Sequence, residues 1–258
     1  MNVEEKTMGR EAVLDSTDVV QHFTARAGQY NRSSHWCTDP EMMQRTVELA
    51  DPRPTDRMLD VACGTGLVSA AFRGKVAEIV GLDLTPAMAS QALPVLDSLV
   101  LGSAESMPLD DDQFELAICR QGVQFMNAER ATQEMVRVTR TGGRVVIVSL
   151  CAYGAEDKDE YFEILRLRNP ARRNFFVPDD LERLLREAGC AKVNVHRHLS
   201  EEDVDVWSGN GAITEAKRER IREIYRDGSP EFLRLHQVQY LDDRIVDRML
   251  FAIAVGTV

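Results

Sequence analysis

The sequence predicts an α/β fold in which a mostly parallel sheet carries helices on both faces. Three observations predict it. Short apolar, β-branched-rich runs recur at 58–62, 78–83, 98–104, 114–120 and 144–150, the pattern of strands buried on both faces. Helical stretches separate them, and such alternation predicts right-handed crossovers with a ligand site beyond the carboxyl ends of the strands. The chain has 258 residues, 44% hydrophobic and 28% charged, enough for one α/β unit with an insertion and unlike a disordered or fibrous chain.

Taken in order, residues 1–15 are polar and mixed in charge and predict a mobile tail. A helix is expected from about Thr17 to Ala27. A second opens at Asp39-Pro40, an acid that caps and a proline suited to the first turn, with Met43, Val47 and Ala50 on its buried face. After the first four strands, Asn127 to Arg140 reads as a helix with Ala131, Met135 and Val138 on one face and Gly142-Gly143 as its stop. The fifth strand ends near Leu150. Residues 151–176 predict no strand, only an amphipathic helix over DKDEYFEILRLR. PDDLERLLREAG (178–189) forms a further helix stopped by Gly189, AKVNVHRHL a sixth strand, 201–240 a helical and charged stretch, and RMLFAIAV (248–255) the last strand.

Charge and cysteine use narrow the function classes. With 31 Lys+Arg against 42 Asp+Glu the net charge is −11, a poor match for a phosphate backbone, so nucleic acid is not an expected partner. No apolar run approaches the roughly 18 residues of a spanning helix. The N-terminus is acidic where a signal peptide is basic, which together predict a cytoplasmic protein without stable membrane insertion. Cys37, Cys63, Cys119, Cys151 and Cys190 are odd in number and never in a CxxC pair, so buried free thiols are expected and no metal site. Nothing in the sequence signals an oligomeric state.

The most informative stretch is Asp60-Val61-Ala62-Cys63-Gly64-Thr65-Gly66-Leu67, where the first strand gives way to a helix. Glycine lets the backbone turn sharply and approach a ligand closely. A dinucleotide loop wants a third glycine, but Ser69 stands there, and Asp60 would repel a pyrophosphate. That disfavours a nicotinamide oxidoreductase. An acid at Asp60 suits a ligand with an ammonium or sulfonium. A second acid, Asp83, ends the next strand seventeen residues beyond Gly66, where it can accept both hydroxyls of a ribose.

These residues resemble the class I methyltransferases that use S-adenosylmethionine, and more narrowly the ubiquinone/menaquinone C-methyltransferase branch. The resemblance runs from about Val20 to Leu150 and rests on DVACGTG, VGLDLTPAM, GSAESMPLDDDQFELAI and EMVRVTRTGGRVVI, with Phe23, Ala27 and Tyr30 matching an F-x-x-x-A-x-x-Y cap segment. It implies a Rossmann-like methyltransferase fold with a seven-stranded sheet, an N-terminal helical cap and an insertion after strand five. Five regions follow: tail 1–15, cap 16–55, cofactor-binding core 56–150, insertion or lid 151–176, and a C-terminal part, 177–258, within a single domain. S-adenosylmethionine is the implied cofactor. Gly64 and Gly66 would approach it, with Ala62 where relatives often carry glycine. Asp60 would meet its ammonium, and Asp83 with Leu84 its ribose. Ser103, Ala104 and Glu105 would border the adenine, Arg120 and Gln121 the sulfonium, and Tyr30 would close over it. Ser103 stands where relatives often place an aspartate, and a hydroxyl is the weaker acceptor.

Methyl transfer from a sulfonium is an in-line displacement governed largely by positioning. After the fourth strand the chain reads Cys119-Arg120-Gln121-Gly122, neither an amide-binding Pro-Pro-aromatic turn nor a carboxylate pair for Mg²⁺. The expected substrate is a small quinone-like, aromatic or acidic metabolite methylated on carbon or oxygen. His22 and His35, in the cap, are the candidate general bases, since unperturbed histidine titrates near 6.5. Arg168, Arg172 and Arg173 could clamp a carboxylate or phosphate. The competing expectation is a non-catalytic protein of this fold that binds the cofactor and serves as an assembly partner.

Overall fold

The computed structural model describes residues 17–28, 30–32, 35–209, 211, 213–242 and 244–258, so the expected tail over 1–15 lies outside the described residues. Helix α1 (Thr17–Arg26) and α2 (Pro40–Ala50) form the cap. The expected alternation follows: β1 (Arg57–Val61), α3 (Leu67–Phe72), β2 (Glu78–Asp83), α4 (Pro86–Ala92), β3 (Ser98–Leu101), β4 (Phe114–Arg120), α5 (Ala128–Val138) and β5 (Thr139–Cys151). Then come α6 (Lys158–Arg168), α7 (Pro178–Glu187), β6 (Lys192–Asp203), α8 (Val204–Ser208), α9 (Glu215–Arg226), α10 (Pro230–Leu235), β7 (Gln239–Leu241) and β8 (Arg244–Thr257).

The strand order is β3-β2-β1-β4-β5-β8-β6, with parallel pairing from β3 to β5 and β8 antiparallel to both its neighbours. Order reverses between β1 and β4, which opens a crevice at their carboxyl ends. An eighth strand joins the seven expected, the three-residue β7, which pairs with the start of β8. Neighbouring residues on the central strands serve opposite faces. Met58, Ile79, Ile118 and Val146 pack towards α2, α3 and α6, while Leu59, Val80, Ala117 and Val145 pack towards α5 and α7.

Local expectations shift at three places. The buried side of α2 is carried by Met42, Thr46 and Ala50, with Met43 and Val47 only at its flank. Strand β3 is not buried on both faces: as the sheet edge it leaves Ser98 and Leu101 exposed. Gly142-Gly143 does not stop α5, which ends at Val138; the pair lies inside β5 where the register with β4 shifts between Phe114 and Leu116. A Cβ on Gly143 would sit 2.8 Å from the Arg140 carbonyl oxygen, so a bulge and not a cap requires glycine there.

Side chains tie the cap to the sheet. Asp39 accepts from the amides of Glu41 (2.9 Å) and Met42 (3.1 Å) as the cap of α2, and its other oxygen meets His198 Nε2 at 3.0 Å. Glu202 accepts from the amides of His35 (3.0 Å) and Trp36 (2.6 Å). At the far end His236 is fully buried between Asp247 (2.8 Å) and Asp157 (3.0 Å). All five cysteines are free and buried. Among the described residues no helix is long and apolar enough to cross a membrane.

Candidate active site

A cavity of about 330 Å³ opens at the carboxyl ends of β1, β2 and β4. The loop after β1 forms its floor through left-handed backbone at Ala62, Gly64 and Gly66, with φ of 55°, 56° and 81°. At Gly66 the reason is contact as well as φ: a Cβ would lie 2.7 Å from Val95 Cγ2 and 2.9 Å from Ala92 Cβ. Alanine at 62 accepts a conformation that costs an L-residue about 1–2 kcal/mol.

The acid pair is buried and built into the loop. Asp83 Oδ2 accepts from the Gly64 amide at 2.8 Å, and Oδ1 from the Thr85 amide at 2.7 Å. Asp60 Oδ2 accepts from the Ser69 hydroxyl at 2.5 Å and the Ser69 amide at 3.1 Å. Ser69 is therefore the partner that orients Asp60, a role its place in the loop did not reveal. Burial, against the Ser69 hydrogen bonds and with a smaller push from Asp83, raises the Asp60 carboxyl to about 7. Burial also raises that of Asp83, and the amides of Thr85 and Gly64 oppose it.

All twelve expected cofactor positions apart from Gly66 line the cavity, and Gly66 packs behind it. Their tasks differ in detail. Ser103 Oγ accepts from the Glu105 amide at 3.2 Å, and Glu105 Oε1 accepts from the Asn127 amide at 2.8 Å, so both brace the turn after β3. The Arg120 guanidinium is engaged by the carbonyls of Trp36 and Cys37 and lies 5.1 Å over the Trp36 ring. It fastens the cap to β4 as well as lining the cavity. Gln121 has φ 56° and accepts from Gln124 Nε2 at 2.7 Å. Burial pushes the Tyr30 phenol up to about 12.

Neither His22 nor His35 is brought to the cavity wall. His35 is exposed because its amide is fixed on Glu202 at the sheet's edge. His22 turns towards Arg26 Nη1 at 3.2 Å, and burial with that neighbouring charge lowers it to about 4. Arg173 does line the cavity, whereas Arg168 and Arg172 line a smaller one beside it. Trp36, Phe125 and Met126 complete the main wall. For Phe125 and Met126 the signal was the mostly apolar run Val123-Gln124-Phe125-Met126 shortly after β4; Trp36 had none. Asp110, Asp111 and Asp112 are exposed, and Arg137 pairs with Asp111 at 2.6 Å. Among the described residues no group of three His, Cys, Asp or Glu side chains could hold a metal.

The fold is the Rossmann-like fold of the class I methyltransferases. Residues 59–147 match the family described as the methyltransferase domain. The uncharacterized methyltransferase YcgJ of Bacillus subtilis is 31% identical over 160 residues, 58% of this chain and 62% of that protein. Its crystal structure superposes with a TM-score of 0.77 at 21% identity, over 84% of this chain and 97% of that one. Malonyl-(acyl-carrier protein) O-methyltransferase of Serratia marcescens is 27% identical over 175 residues, 67% of this chain and 65% of that protein. The chain thus spans somewhat under two thirds of these curated relatives. Phosphoethanolamine N-methyltransferase 2 of Haemonchus contortus, solved with S-adenosyl-L-methionine, shares the fold at a TM-score of 0.55 and 16% identity, over 84% of this chain and 52% of that one.

Proposed function

We propose that the protein is a cytoplasmic S-adenosylmethionine-dependent methyltransferase that methylates carbon or oxygen of a small aromatic, quinone-like or acidic molecule. The observation that carries the reading is the buried acid pair joined to the glycine loop: Asp83 is fixed by the Gly64 amide, and Asp60 faces the same cavity. This pair of acceptors fits a ligand with a cationic end and a ribose, and it disfavours a pyrophosphate. The bound cofactor supplies an electrophilic methyl on a sulfonium.

The chain's own residues then position and enclose. Asp83 retains acceptor capacity for the ribose hydroxyls, since a carboxylate has about four lone-pair sites and two are used by amides. Asp60, ionised when a cation arrives, holds the ammonium. Phe23, Tyr30, Trp36 and Phe125 give the cavity an aromatic wall that excludes water and suits a flat acceptor. Val19, Phe23, Tyr30 and Trp36 of the cap and Arg173 of the insertion border it. Alignment of acceptor with methyl can supply up to about 7–11 kcal/mol, so positioning comes before proton transfer here. The name of the malonyl relative, an O-methyltransferase of an acidic acyl group, agrees with an acidic acceptor. No direct contact assigns His22 or His35 a part in the step.

Isothermal titration tests the reading. S-adenosylmethionine and S-adenosylhomocysteine are expected to bind at least a hundredfold more tightly than NAD. Equal or tighter NAD binding overturns it. Incubation of metabolite extracts with methyl-labelled cofactor is expected to label small molecules; label confined to protein or nucleic acid rules out the acceptor class.

A further inference from the structure

Gln121, the residue after β4, holds a φ of 56° although it is not glycine, in a left-handed region that is uncommon for residues with a Cβ. It is more than nine-tenths buried, and it lines both the main cavity and a second of about 20 Å³ beside it. Gln124, three residues on and fully buried, lines the smaller cavity and not the main one. Its backbone is held by the insertion, since the Gln124 carbonyl accepts from the amides of Arg173 at 2.8 Å and Asn174 at 3.1 Å.

The two side-chain amides meet at one edge, where Gln124 Nε2 donates to Gln121 Oε1 at 2.7 Å. Their other ends, Gln121 Nε2 and Gln124 Oε1, are buried and make no hydrogen bond to another group of the protein. One is a donor and the other an acceptor. A single molecule that accepts from Gln121 and donates to Gln124 closes the pair into a ring of hydrogen bonds. Turning both amides over exchanges their roles and again leaves one donor and one acceptor, so the requirement holds in either orientation. Trp36 Nε1 and Asn169 Nδ2, likewise unmatched, belong to residues of the same small cavity.

Size selects the molecule. A cavity of about 20 Å³ takes one water, which needs on the order of 10–15 Å³ and two to four polar partners, and it excludes any larger ligand. Water accepts twice and donates twice, which fits a wall offering N–H groups from Gln121, Trp36 and Asn169 and an acceptor from Gln124. A buried polar group left unmatched costs about 1–3 kcal/mol, and one water relieves several at once.

We propose that the smaller cavity is a binding site for one internal water, which bridges the Gln121 and Gln124 amides and thereby fixes the Gln121 side chain in the wall of the main cavity. Gln124 is then a positioning residue that acts through this water. The site does not depend on what the main cavity binds.

The test is water-selective NOE and ROE spectroscopy on the full chain with isotope-labelled glutamine, the Gln121 side-chain amide being assigned through its own backbone. Cross-peaks from that amide to water are expected with opposite signs in the two experiments, the mark of a long-lived bound water and not of proton exchange. Gln124→Met keeps the length of the side chain and removes the acceptor. In that variant the peak is expected to fall at least about fivefold and the Gln121 amide to gain local motion, visible in its nitrogen relaxation. The wild-type spectrum decides the matter if the variant does not fold: a Gln121 amide that contacts no long-lived water overturns the site. A peak of unchanged strength in folded Gln124→Met overturns the bridge.

Discussion

Asp83 Oδ2 accepts the Gly64 amide proton at 2.8 Å, so the acid that ends β2 and the loop that follows β1 form one unit. The pairing ties the backbone of the glycine loop to the carboxylate proposed to hold the ribose. Substitution at either end disturbs both.

Asp83→Ala removes the acceptor for the amides of Gly64 and Thr85 and, on the proposed reading, for the ribose. Cofactor binding is expected to weaken by about 1–3 kcal/mol. Titration with S-adenosylhomocysteine on a variant shown by circular dichroism to be folded checks this, and an unchanged dissociation constant takes Asp83 out of the site.

Asp60 couples binding to pH. Its carboxyl is raised by burial to about 7, so in the ligand-free protein its stabilising contribution is complete below about 4 and is lost as pH rises through about 7. A cationic ligand favours the ionised form. Affinity for S-adenosylmethionine is therefore expected to increase between pH 6 and 8 with release of about one proton, seen as a buffer-dependent binding enthalpy. Asp60→Asn is expected to flatten that dependence; a variant that keeps it assigns the proton to another group.

His236 makes a second pH-dependent contribution, of structural kind. Burial alone would lower the imidazole, but Asp247 and Asp157 outweigh it and raise it to about 9. Because the folded value lies above the unfolded one, the contribution is fully present below about 6.5 and fades as pH rises through about 9. His236→Ala leaves two buried aspartates without their partner and is expected to cost about 3–5 kcal/mol in denaturant unfolding. A loss below 1 kcal/mol would refute the ionic triad.

Ala62 sits at φ 55°, where glycine carries no steric penalty. Ala62→Gly is expected to stabilise the fold by about 0.5–1 kcal/mol, the relief of strain less the entropy of a freer unfolded chain. A shift of the unfolding midpoint to lower denaturant contradicts the strain.

Much of the fold was legible because its signals are local. The apolar runs of β1, β2, β4 and β5, the cap Asp39, and the spacing of Gly64, Gly66 and Asp83 each depend on a few neighbouring residues. Where a local signal had two uses, it misled: Gly142-Gly143 fits a helix stop and a bulge equally well, and only the register between β4 and β5 selects the bulge. The exposure of β3 was likewise settled by its place at the sheet edge.

By itself, then, the sequence determined the alternating sheet, the loop that turns at its crevice and the two acids beside that loop, since backbone conformation and strand patterning are set over spans of a few residues. Only the tertiary structure decided what the long side chains do. It turned Arg120 onto the Trp36 and Cys37 carbonyls, carried His35 to the surface and placed His236 between two aspartates. It also gathered Arg26, Arg168 and Arg172 around one small cavity. The reason is geometric: such contacts join positions as many as 167 residues apart, from His35 to Glu202, and no spacing along the chain encodes which flexible side chains packing will bring together.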